Sequence, residues 1–483
     1  MKRTIKTVLS CLLISQLFLM TVFAKPDWPT DTWAEAEAGI VMDVDSGTVL
    51  FGQKIHEPYP PASITKILTA LLVLENSNLD DVITISESAM NNVEPDSGNW
   101  LSLEAGDKLS VEDCLYALLL RSNNQIANAL AEHVAGTQEA FVQMMNDKVA
   151  ELGCTKSHFE NPSGLNGKTQ NVTAYDMALI ACAAFQNEKL VEISSTLSYK
   201  IPPTMNNPEG RTLENEHKML KSTESCYYPS AVAGKTGFLK LAGNTLVTYA
   251  EDNGRKQVSV ILKGSQRSVD LEVSQGQYFL DGRELLKFGF ANFKNLNISE
   301  NETEYITGET PLEVGGNTYQ PSDLKIDPEA VITLPDSSEF ADAEKTLVTD
   351  LPADHPEEAI ALISYSYNER KIGTAYLMLK EMPAAAGAKG ENAENAETGE
   401  GDQQPDEDKD KNQNKKAFRL SPLLIVGIIA VIGIGALATF ISIRKKKEAE
   451  EVARRREERR RRLKESGDEE AFNRLLEQRK RGK

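Results

Sequence analysis

The sequence predicts an α/β domain with one antiparallel sheet and a cluster of helices, followed by a small all-β domain, a disordered stalk and one transmembrane helix. Two observations predict the first domain. Apolar and polar residues alternate as in strands at 38–54 and again after residue 234, and helical periodicity fills the interval between them. A third observation, the uncharged apolar run at 423–443, predicts the transmembrane helix. With 483 residues, the chain is too long for one ordinary domain.

The strands of the first domain, residues 33–293, come from its two ends. Residues 38–54 alternate on either side of a short Asp-Ser-Gly turn and predict a β-hairpin. Strands are predicted again at 246–250 and 258–262, and the turn-forming sequence at 252–254 joins them. We therefore expect one antiparallel sheet that brings the two ends of the domain together.

The helices of this domain are predicted from periodicity and from capping residues. Ser110 with Asp113, and Thr173 with Asp176, are typical of helix N-termini, because the side chain at the first position accepts a hydrogen bond from a free backbone N–H. The predicted helices are 64–75, 111–120, 126–134, 138–152, 174–184 and 284–293. We expect them to cover the sheet.

Beyond the first domain, residues 295–382 have strand-like alternation and predict a small all-β domain. The clearest strands are 359–367 and 372–379, separated by a polar turn. Residues 383–420 are rich in alanine, glycine and acidic residues and predict a disordered acidic linker, because they cannot bury enough apolar surface to offset chain entropy.

Two further segments predict where the protein is located. Residues 1–24 combine basic residues, an apolar stretch and a small-residue cleavage site, as in a secretory signal peptide. The segment 423–443 is long enough to cross a bilayer, and residues 444–483 after it carry 17 basic and 10 acidic side chains. We expect the tail in the cytoplasm and the folded domains outside the cell membrane. The tail is either a solvated helix or a segment that contacts anionic lipid headgroups.

Charge and cysteine content exclude several classes of function. The chain carries a formal net charge of −19 although its tail is basic, so its folded domains are strongly acidic and are not expected to bind nucleic acid. The cysteines after the signal peptide lack metal-ligand spacing, and neither a metal ion nor another cofactor is expected. Cys114 and Cys182 fall on apolar faces of predicted helices, which favours buried thiols over disulfides.

The first of three motifs is Ser63-Ile-Thr-Lys66, which follows two prolines and begins a predicted helix. Unpaired backbone amides at a helix N-terminus favour developing negative charge, so Ser63 is a candidate nucleophile. Lys66 lies one turn later, where its amine can accept the hydroxyl proton if burial or a second cation lowers its pKa. Lys235 is the candidate for that cation. Alone, the motif is more typical of a capping serine and a surface lysine, because such caps are common.

The second motif, Ser122-Asn123-Asn124, lies in a polar break between two predicted helices. The Ser122 hydroxyl is a candidate for relaying a proton to a leaving amine. We expect the Asn124 side chain either to bind a substrate carbonyl or to hold Lys66 in place. A helix-to-helix turn without function has the same residue types.

The third motif, Lys235-Thr236-Gly237, occurs where a strand is predicted to begin. We expect Lys235 and Thr236 to point outward and to bind a substrate carboxylate. Gly237 allows another backbone to approach closely. The backbone amides of Ser63 and Phe238 are candidates for an oxyanion hole. An isolated motif of this kind is usually only a strand edge.

In order, spacing and context, the three motifs resemble those of the serine-type D-alanyl-D-alanine carboxypeptidases, the low-molecular-mass penicillin-binding proteins of peptidase family S11. The resemblance covers residues 33–382 and includes Glu160-Asn-Pro-Ser-Gly-Leu165 and Thr173-Ala-Tyr-Asp176. It implies the fold of serine β-lactamases and transpeptidases. It also implies removal of the terminal D-alanine from peptidoglycan stem pentapeptides through an acyl-enzyme on Ser63, with β-lactam antibiotics as covalent inhibitors.

The resemblance also implies a role for each motif residue. Lys66 would accept the nucleophile's proton, Ser122 would shuttle it, and Lys235 would anchor the substrate carboxylate. The second motif departs from the family's usual Ser-Gly-Asn-Asp at Asn123 and Gln125, which leaves its core residues intact but could alter substrate fit.

Two other functions fit parts of the pattern. A class A β-lactamase has the same three motifs but deacylates with a glutamate between the second and the third, and the nearest candidate, Glu160, lacks the usual flanking pattern. A membrane-bound receptor would be acylated once by a β-lactam or a muropeptide and would signal through the span. Turnover separates the three, because a carboxypeptidase releases D-alanine continuously, a lactamase clears penicillin, and a receptor stops after one acylation.

Overall fold

The computed structural model describes residues 25–94, 97–99, 101–265, 276–352 and 355–380. The predicted signal peptide (1–24), acidic linker (383–420), transmembrane helix (423–443) and tail (444–483) lie outside these residues, so they stay predictions. Within the described ranges, no helix combines the length and the apolar character that a bilayer span requires.

Five helices follow one another in the middle of the first domain, and strands predominate after them. The helices are α1 (Lys66–Asn76), α2 (Glu87–Asn91), α3 (Val111–Leu120), α4 (Asn124–Ala135), α5 (Gln138–Glu151), α6 (Ala174–Ala184), α7 (Glu188–Ser195), α8 (Gln277–Asn292) and α9 (Ile298–Asn301). The strands are β1 (Ala38–Asp43), β2 (Val49–Gln53), β3 (Val82–Thr84), β4 (Lys108–Ser110), β5 (Ser198–Ile201), β6 (Arg211–Glu214), β7 (Ala231–Leu239), β8 (Gly243–Asp252), β9 (Arg255–Gly264), β10 (Phe293–Asn297), β11 (Leu312–Val314), β12 (Asn317–Tyr319), β13 (Leu324–Ile326), β14 (Val331–Pro335), β15 (Glu344–Val348), β16 (Ala359–Tyr367) and β17 (Arg370–Leu379).

The central sheet has the order β2-β1-β9-β8-β7 and is antiparallel throughout. β1, at the start of the domain, pairs with β9 near its end, so the prediction of one sheet built from both ends is confirmed. The predicted strands 246–250 and 258–262 are the centres of β8 and β9. The turn between them has positive φ at Asn253 and Gly254, which matches the twist of a tight hairpin.

Both faces of the sheet are buried. Val258 and Val260 of β9 belong to the apolar cluster of the helices on one face, whereas Ile261 packs with Phe279 and Leu285 of α8 on the other. Helix α1 lies inside the helical cluster, and its first eight residues are all buried. The N-terminal end of α1 is therefore fixed relative to the sheet.

The predicted helices are present, with differences at three N-termini, of which that of α4, at Asn124 in place of residue 126, is the smallest in consequence. A 3-10 turn, Ala62–Thr65, precedes α1, so the α-helix begins at Lys66 and not at residue 64. Helix α8 begins at Gln277, well before the predicted start at 284. Gly282 interrupts the apolar pattern of this helix in the sequence. A glycine is needed there, because a Cβ would lie 3.0 Å from the Leu246 side chain and would push the helix away from the sheet.

The predicted caps at Ser110 and Thr173 are confirmed, since their hydroxyl oxygens accept hydrogen bonds from the backbone N–H groups of Asp113 and Asp176. The short elements α2, α7 and β3–β6 were not predicted. Elements of three to eight residues carry little periodicity and form mainly through tertiary packing.

Residues 293–380 form a second set of strands with their own apolar cluster. Four of these strands form an antiparallel sheet in the order β13-β17-β16-β15. Trp28, in the segment before β1, contacts the rings of Phe293 and Tyr367 and donates to the Leu50 carbonyl, so this segment joins the strands to the central sheet.

The cysteines that the structure describes are free and buried: Cys114, Cys154, Cys182 and Cys226. The expectation of buried thiols in place of disulfides is confirmed. Cys182 lies within the apolar cluster of the helices, with its sulfur 3.8 Å from the Met42 sulfur, and behaves as a small apolar residue.

A buried carboxylate lies among the strands of residues 293–380. Glu302 is 2% exposed and accepts hydrogen bonds from Lys345 Nζ, at 2.9 and 3.0 Å, and from the Tyr365 hydroxyl at 2.8 Å. Burial raises the pKa of Glu302, but the bonds from Lys345 and Tyr365 outweigh burial and hold the pKa below its usual range. Because the folded-state pKa is lowered, this carboxylate stabilises the fold at neutral pH, and that stabilisation is lost as the pH falls through the lowered pKa.

We expect Glu302→Gln to lower the free energy of unfolding by about 2 kcal/mol at pH 7, because it replaces an ionised acceptor by a neutral one beside Lys345. Urea unfolding measures the change, and the difference from the wild type should shrink as the pH falls below about 4. Glu344→Gln removes an exposed carboxylate on β15 and is the matched control, with an expected effect under about 0.5 kcal/mol. Equal effects of the two substitutions would contradict the assignment.

Candidate active site

Ser63 lies in the 3-10 turn Ala62–Thr65, where the chain enters α1. Ala62 has a positive φ of 51°, a conformation that costs energy in a residue other than glycine. The hydroxyl of Thr245, on β8, donates to the Pro61 carbonyl at 2.8 Å and ties the turn to the sheet. The nucleophile candidate is therefore held against the sheet in a tight turn.

Lys66 is the first residue of α1, and its side chain is buried. Its Nζ lies 3.1 Å from Ser63 Oγ. The same nitrogen donates to Asn124 Oδ1 at 2.7 Å and to the Ser163 carbonyl at 2.5 Å. Three segments far apart in the sequence thus meet at one amine.

The surroundings of Lys66 favour its neutral form. Burial lowers the pKa of the amine most, the positive charge of Lys235 lowers it further, and the carboxylate of Glu216 opposes both, so the pKa lies well below that of a free lysine. A neutral amine has two N–H groups and one lone pair. Since the amide and carbonyl oxygens described above accept from both N–H groups, the lone pair is left for the hydroxyl of Ser63.

The carbonyl that holds this amine belongs to the tight loop Asn161-Pro-Ser-Gly164. Asn161 Oδ1 accepts hydrogen bonds from Ser163 Oγ at 3.0 Å and from the Gly164 backbone N–H at 2.8 Å. Gly164 has a φ of 82°, and any side chain there would overlap the Ala62 carbonyl. The sequence indicated this segment only through the family resemblance, because nothing local shows which carbonyl the loop presents.

The second motif lies at the junction of α3 and α4. Ser122 has a φ of 57°, and its buried hydroxyl has no hydrogen-bond partner among the described residues. Asn123 caps α4, since its side chain accepts from the Ile126 N–H at 2.8 Å. The contact of Asn124 with Lys66 supports the second of its two expected roles, that of holding the lysine in place.

The third motif lies on β7, an edge strand of the central sheet. Lys235 is 1% exposed, so the expectation that Lys235 and Thr236 both point outward is wrong, because successive residues of a strand face opposite sides. The Lys235 amine donates to the Thr236 carbonyl at 2.9 Å. At Gly237 a Cβ would lie 2.8 Å from the backbone nitrogen of Ser63, so the expected close approach of another backbone is present.

Two charged residues that the sequence analysis missed act on these lysines. Burial lowers the pKa of Lys235 to about 8, with Glu216 opposing this effect and Arg121 adding to it. Arg121 and Glu216 form an ion pair of 3.4 Å. Arg121 directly precedes Ser122, which is a positional signal, whereas nothing in the sequence places Glu216 near the motifs.

A cavity of about 550 Å³ collects residues of all three motifs. The predicted residues in its lining are Ser63, Ser122, Asn124, Thr236, Gly237 and Phe238. Its lining also contains Glu94, Ser97, Arg121, Gly164, Leu165, Glu216, Leu239, Lys240, Asn244 and Tyr278. Lys66 and Lys235 are buried and reach this site through their contacts with Ser63 and Thr236.

Glu160, the acid that a class A β-lactamase mechanism would need, does not line this cavity. Its carboxylate accepts hydrogen bonds from the backbone N–H groups of Lys168 and Thr169, both at 2.7 Å. The side chain therefore stabilises its own loop.

Comparisons with known proteins agree with this geometry. D-alanyl-D-alanine carboxypeptidase DacB2 of Mycobacterium tuberculosis is 35% identical over 241 residues, which are 50% of this chain and 76% of that protein. D-alanyl-D-alanine carboxypeptidase DacF of Bacillus subtilis is 29% identical over 272 residues, or 55% of this chain and 67% of that protein. The crystal structure of penicillin-binding protein 6B from Escherichia coli superimposes with a TM-score of 0.52 at 23% identity and covers 73% of this chain and 98% of its own, which confirms the shared α/β fold.

The sequence model of one family, described as D-alanyl-D-alanine carboxypeptidase, matches residues 25–266, which is half of the chain. The matched segment contains Ser63, Lys66, Ser122 and Lys235, the residues that the structure gathers around the cavity. The chain therefore belongs to the S11 family of serine D-alanyl-D-alanine carboxypeptidases.

Proposed function

We propose that this protein is a D-alanyl-D-alanine carboxypeptidase that removes the terminal D-alanine from peptidoglycan stem pentapeptides through an acyl-enzyme on Ser63. The observation that carries the proposal is the buried amine of Lys66, which lies 3.1 Å from Oγ of the cavity-lining Ser63 and whose N–H groups are already bonded. An amine in this state is a base for a hydroxyl nucleophile.

Acylation begins when Lys66 accepts the hydroxyl proton of Ser63 and Oγ attacks the carbonyl carbon between the last two D-alanines. The new C–O bond places negative charge on the carbonyl oxygen. The backbone N–H groups of Ser63 and Phe238 stabilise this oxyanion, which the close approach of Gly237 to Ser63 supports. Any side chain at Gly237 would separate the two donors.

The substrate binds along β7. Because β7 is an edge strand, its outer backbone groups can pair with an extended peptide, as in β-strand addition. The Thr236 hydroxyl contacts the terminal carboxylate, and buried Lys235, whose amine bonds to the Thr236 carbonyl, supplies positive charge close to it.

Collapse of the tetrahedral intermediate breaks the C–N bond, and the leaving nitrogen of D-alanine needs a proton. Ser122 passes the proton from Lys66 to this nitrogen, and its buried hydroxyl, unbonded within the described part of the chain, is available for both transfers. A water molecule then attacks the acyl carbon and gives a proton to Lys66. The ester bond to Ser63 breaks, Lys66 returns this proton to Ser63 Oγ, and the shortened peptide is released.

β-Lactams acylate the same serine in this proposal. Hydrolysis of the penicilloyl-enzyme is expected to be slow, because the structure gives no support to Glu160 as a deacylating base. The interpretation as a β-lactamase is therefore disfavoured. Within residues 25–380 as far as the structure describes them, no observation favours a receptor function.

We also infer the organisation and location of the whole chain from its sequence. Residues 295–382 would be the family's β-rich C-terminal domain, an inference that the separate apolar cluster of these strands supports. The linker, the span at 423–443 and the basic tail would hold the catalytic domain outside the cell membrane, with the tail in the cytoplasm. This location gives the enzyme access to peptidoglycan.

Ser63→Ala should abolish both D-alanine release and labelling by fluorescent penicillin, because it removes the attacking oxygen and leaves the fold intact. Release is measured by mass spectrometry of a defined pentapeptide, and folding by thermal unfolding. Ser88→Ala, an exposed serine on α2, is the matched control and should retain full activity. Persistent labelling of Ser63→Ala would contradict the assignment of the nucleophile.

The pH profile of kcat/KM should have two limbs. It falls at low pH because protonated Lys66 cannot accept a proton, and it falls above about 8 because Lys235 loses its charge as the pH rises through its lowered pKa. Lys235→Arg should move the alkaline limb upward by roughly one pH unit or more, because a guanidinium keeps its charge there.

The acid limb of Lys235→Arg should stay in place, because the charge next to Lys66 is retained. Lys240→Arg makes the same substitution at an exposed lysine of the cavity rim and should leave both limbs unchanged. An unshifted alkaline limb in a folded, active Lys235→Arg enzyme would contradict the role of Lys235.

A further inference from the structure

One carboxylate of the cavity lining has no part in the mechanism above. Glu94 is half-buried and follows α2. The backbone around it is held to α4 at two points, where Asn128 Nδ2 donates to the Asn92 carbonyl at 2.9 Å and Gln125 Nε2 donates to the Gly98 carbonyl at 3.0 Å. The position of Glu94 is therefore coupled to the helix that begins with the second motif.

Asn166 fixes the orientation of this carboxylate. Its backbone N–H donates to Glu94 Oε1 at 2.8 Å, and its side-chain Nδ2 donates to Oε2 at 3.1 Å. Both donors are neutral amides, so they orient the carboxylate without compensating its charge. Within the described residues, no lysine, arginine or histidine forms an ion pair with Glu94.

The charges around the cavity are arranged unevenly. The other carboxylate in the lining, Glu216, is paired with Arg121 close to Lys235, in the region assigned to the substrate's terminal carboxylate. Glu94 instead is bonded to Asn166, which directly follows Leu165, and the apolar side chain of Leu165 and the oriented carboxylate line the same cavity. An aliphatic chain that ends in an ammonium group matches both features.

We propose that Glu94 is a specificity residue that binds the side-chain ammonium of the diamino acid preceding the two D-alanines of the stem peptide, with Leu165 packing against its methylene groups. The proposal rests on the carboxypeptidase function and adds to it a recognition site for a cationic side chain. Because Glu94 touches no reacting atom in this scheme, it affects which peptides are cleaved efficiently and not the chemistry of cleavage.

The test compares two pentapeptides with the full-length enzyme. Both have the sequence L-Ala-γ-D-Glu-L-Lys-D-Ala-D-Ala with a blocked α-amine. One has a free lysine side chain, and the other is acetylated on that side chain, which removes the charge. Wild-type enzyme should have a higher kcat/KM for the free-amine peptide. Glu94→Gln, which keeps an amide oxygen for Asn166, should lose about fivefold in kcat/KM on the free-amine peptide and should be unchanged on the acetylated one.

Two further measurements separate a binding role from a structural one. Glu87→Gln removes an exposed carboxylate from α2 in the same segment and should leave the ratio between the two peptides at its wild-type value. Raising the salt concentration should reduce the ratio of kcat/KM between the free-amine and the acetylated peptide for the wild type, since screening weakens charge pairing. The same ratio for Glu94→Gln should not change.

Equal losses of Glu94→Gln on both peptides would show a structural role and would overturn the proposal, as would a wild-type enzyme that does not distinguish the peptides. Cleavage of both peptides by the wild type tests the carboxypeptidase function itself, so a failure of the specificity site is distinguishable from a failure of the function. If the wild type cleaved neither peptide, both the carboxypeptidase function and the specificity site would be overturned.

Discussion

Burying an amine inside a protein is unfavourable unless its N–H groups are bonded and its charge is suppressed, and Lys66 meets both conditions. The hydrogen bond from Lys66 to the Asn124 side chain fixes the start of α4, and the bond from Lys66 to the Ser163 carbonyl fixes the loop that follows α5. The same amine lies next to Ser63, so these contacts also position the nucleophile. The hydrogen bonds of this one side chain thus join α1, α4 and this loop at the site of the nucleophile.

Close contacts and backbone strain are concentrated around the same point. Ala62 and Ser122 have positive φ although neither is glycine, and Gly164 and Gly237 lie where a side chain would collide with the turn that carries Ser63. Packing of α1 inside the helical cluster and pairing of β7 with β8 hold these strained positions. A rigid scaffold therefore fixes the nucleophile and the oxyanion donors before substrate arrives, which lowers the reorganisation needed during the reaction.

The charged groups around the cavity have two effects. They set how far the pKa values of the two buried lysines fall, and they retain a positive charge for the substrate carboxylate. Lys235 lowers the pKa of Lys66, and Glu216, paired with Arg121, limits the shift of both lysines. Lys66 is thereby favoured in its neutral form, while Lys235 keeps its charge up to about pH 8. The two lysines differ in role because their surroundings differ, although both are buried.

The sequence by itself determined the class of the fold, the helices with strong caps, the strands of the central sheet and the identity of Ser63, Lys66, Ser122 and Lys235 as candidates, since local periodicity and short motifs record these features. Only the tertiary structure decided that Lys235 is buried, that Asn124 holds Lys66, and that Glu94, Arg121 and Glu216 line the cavity. These placements depend on contacts between segments that are far apart along the chain, and no local pattern encodes such contacts. The 3-10 turn before α1 has the same origin, because packing of Ala62 against Gly164 and of Pro61 against Thr245 shapes it.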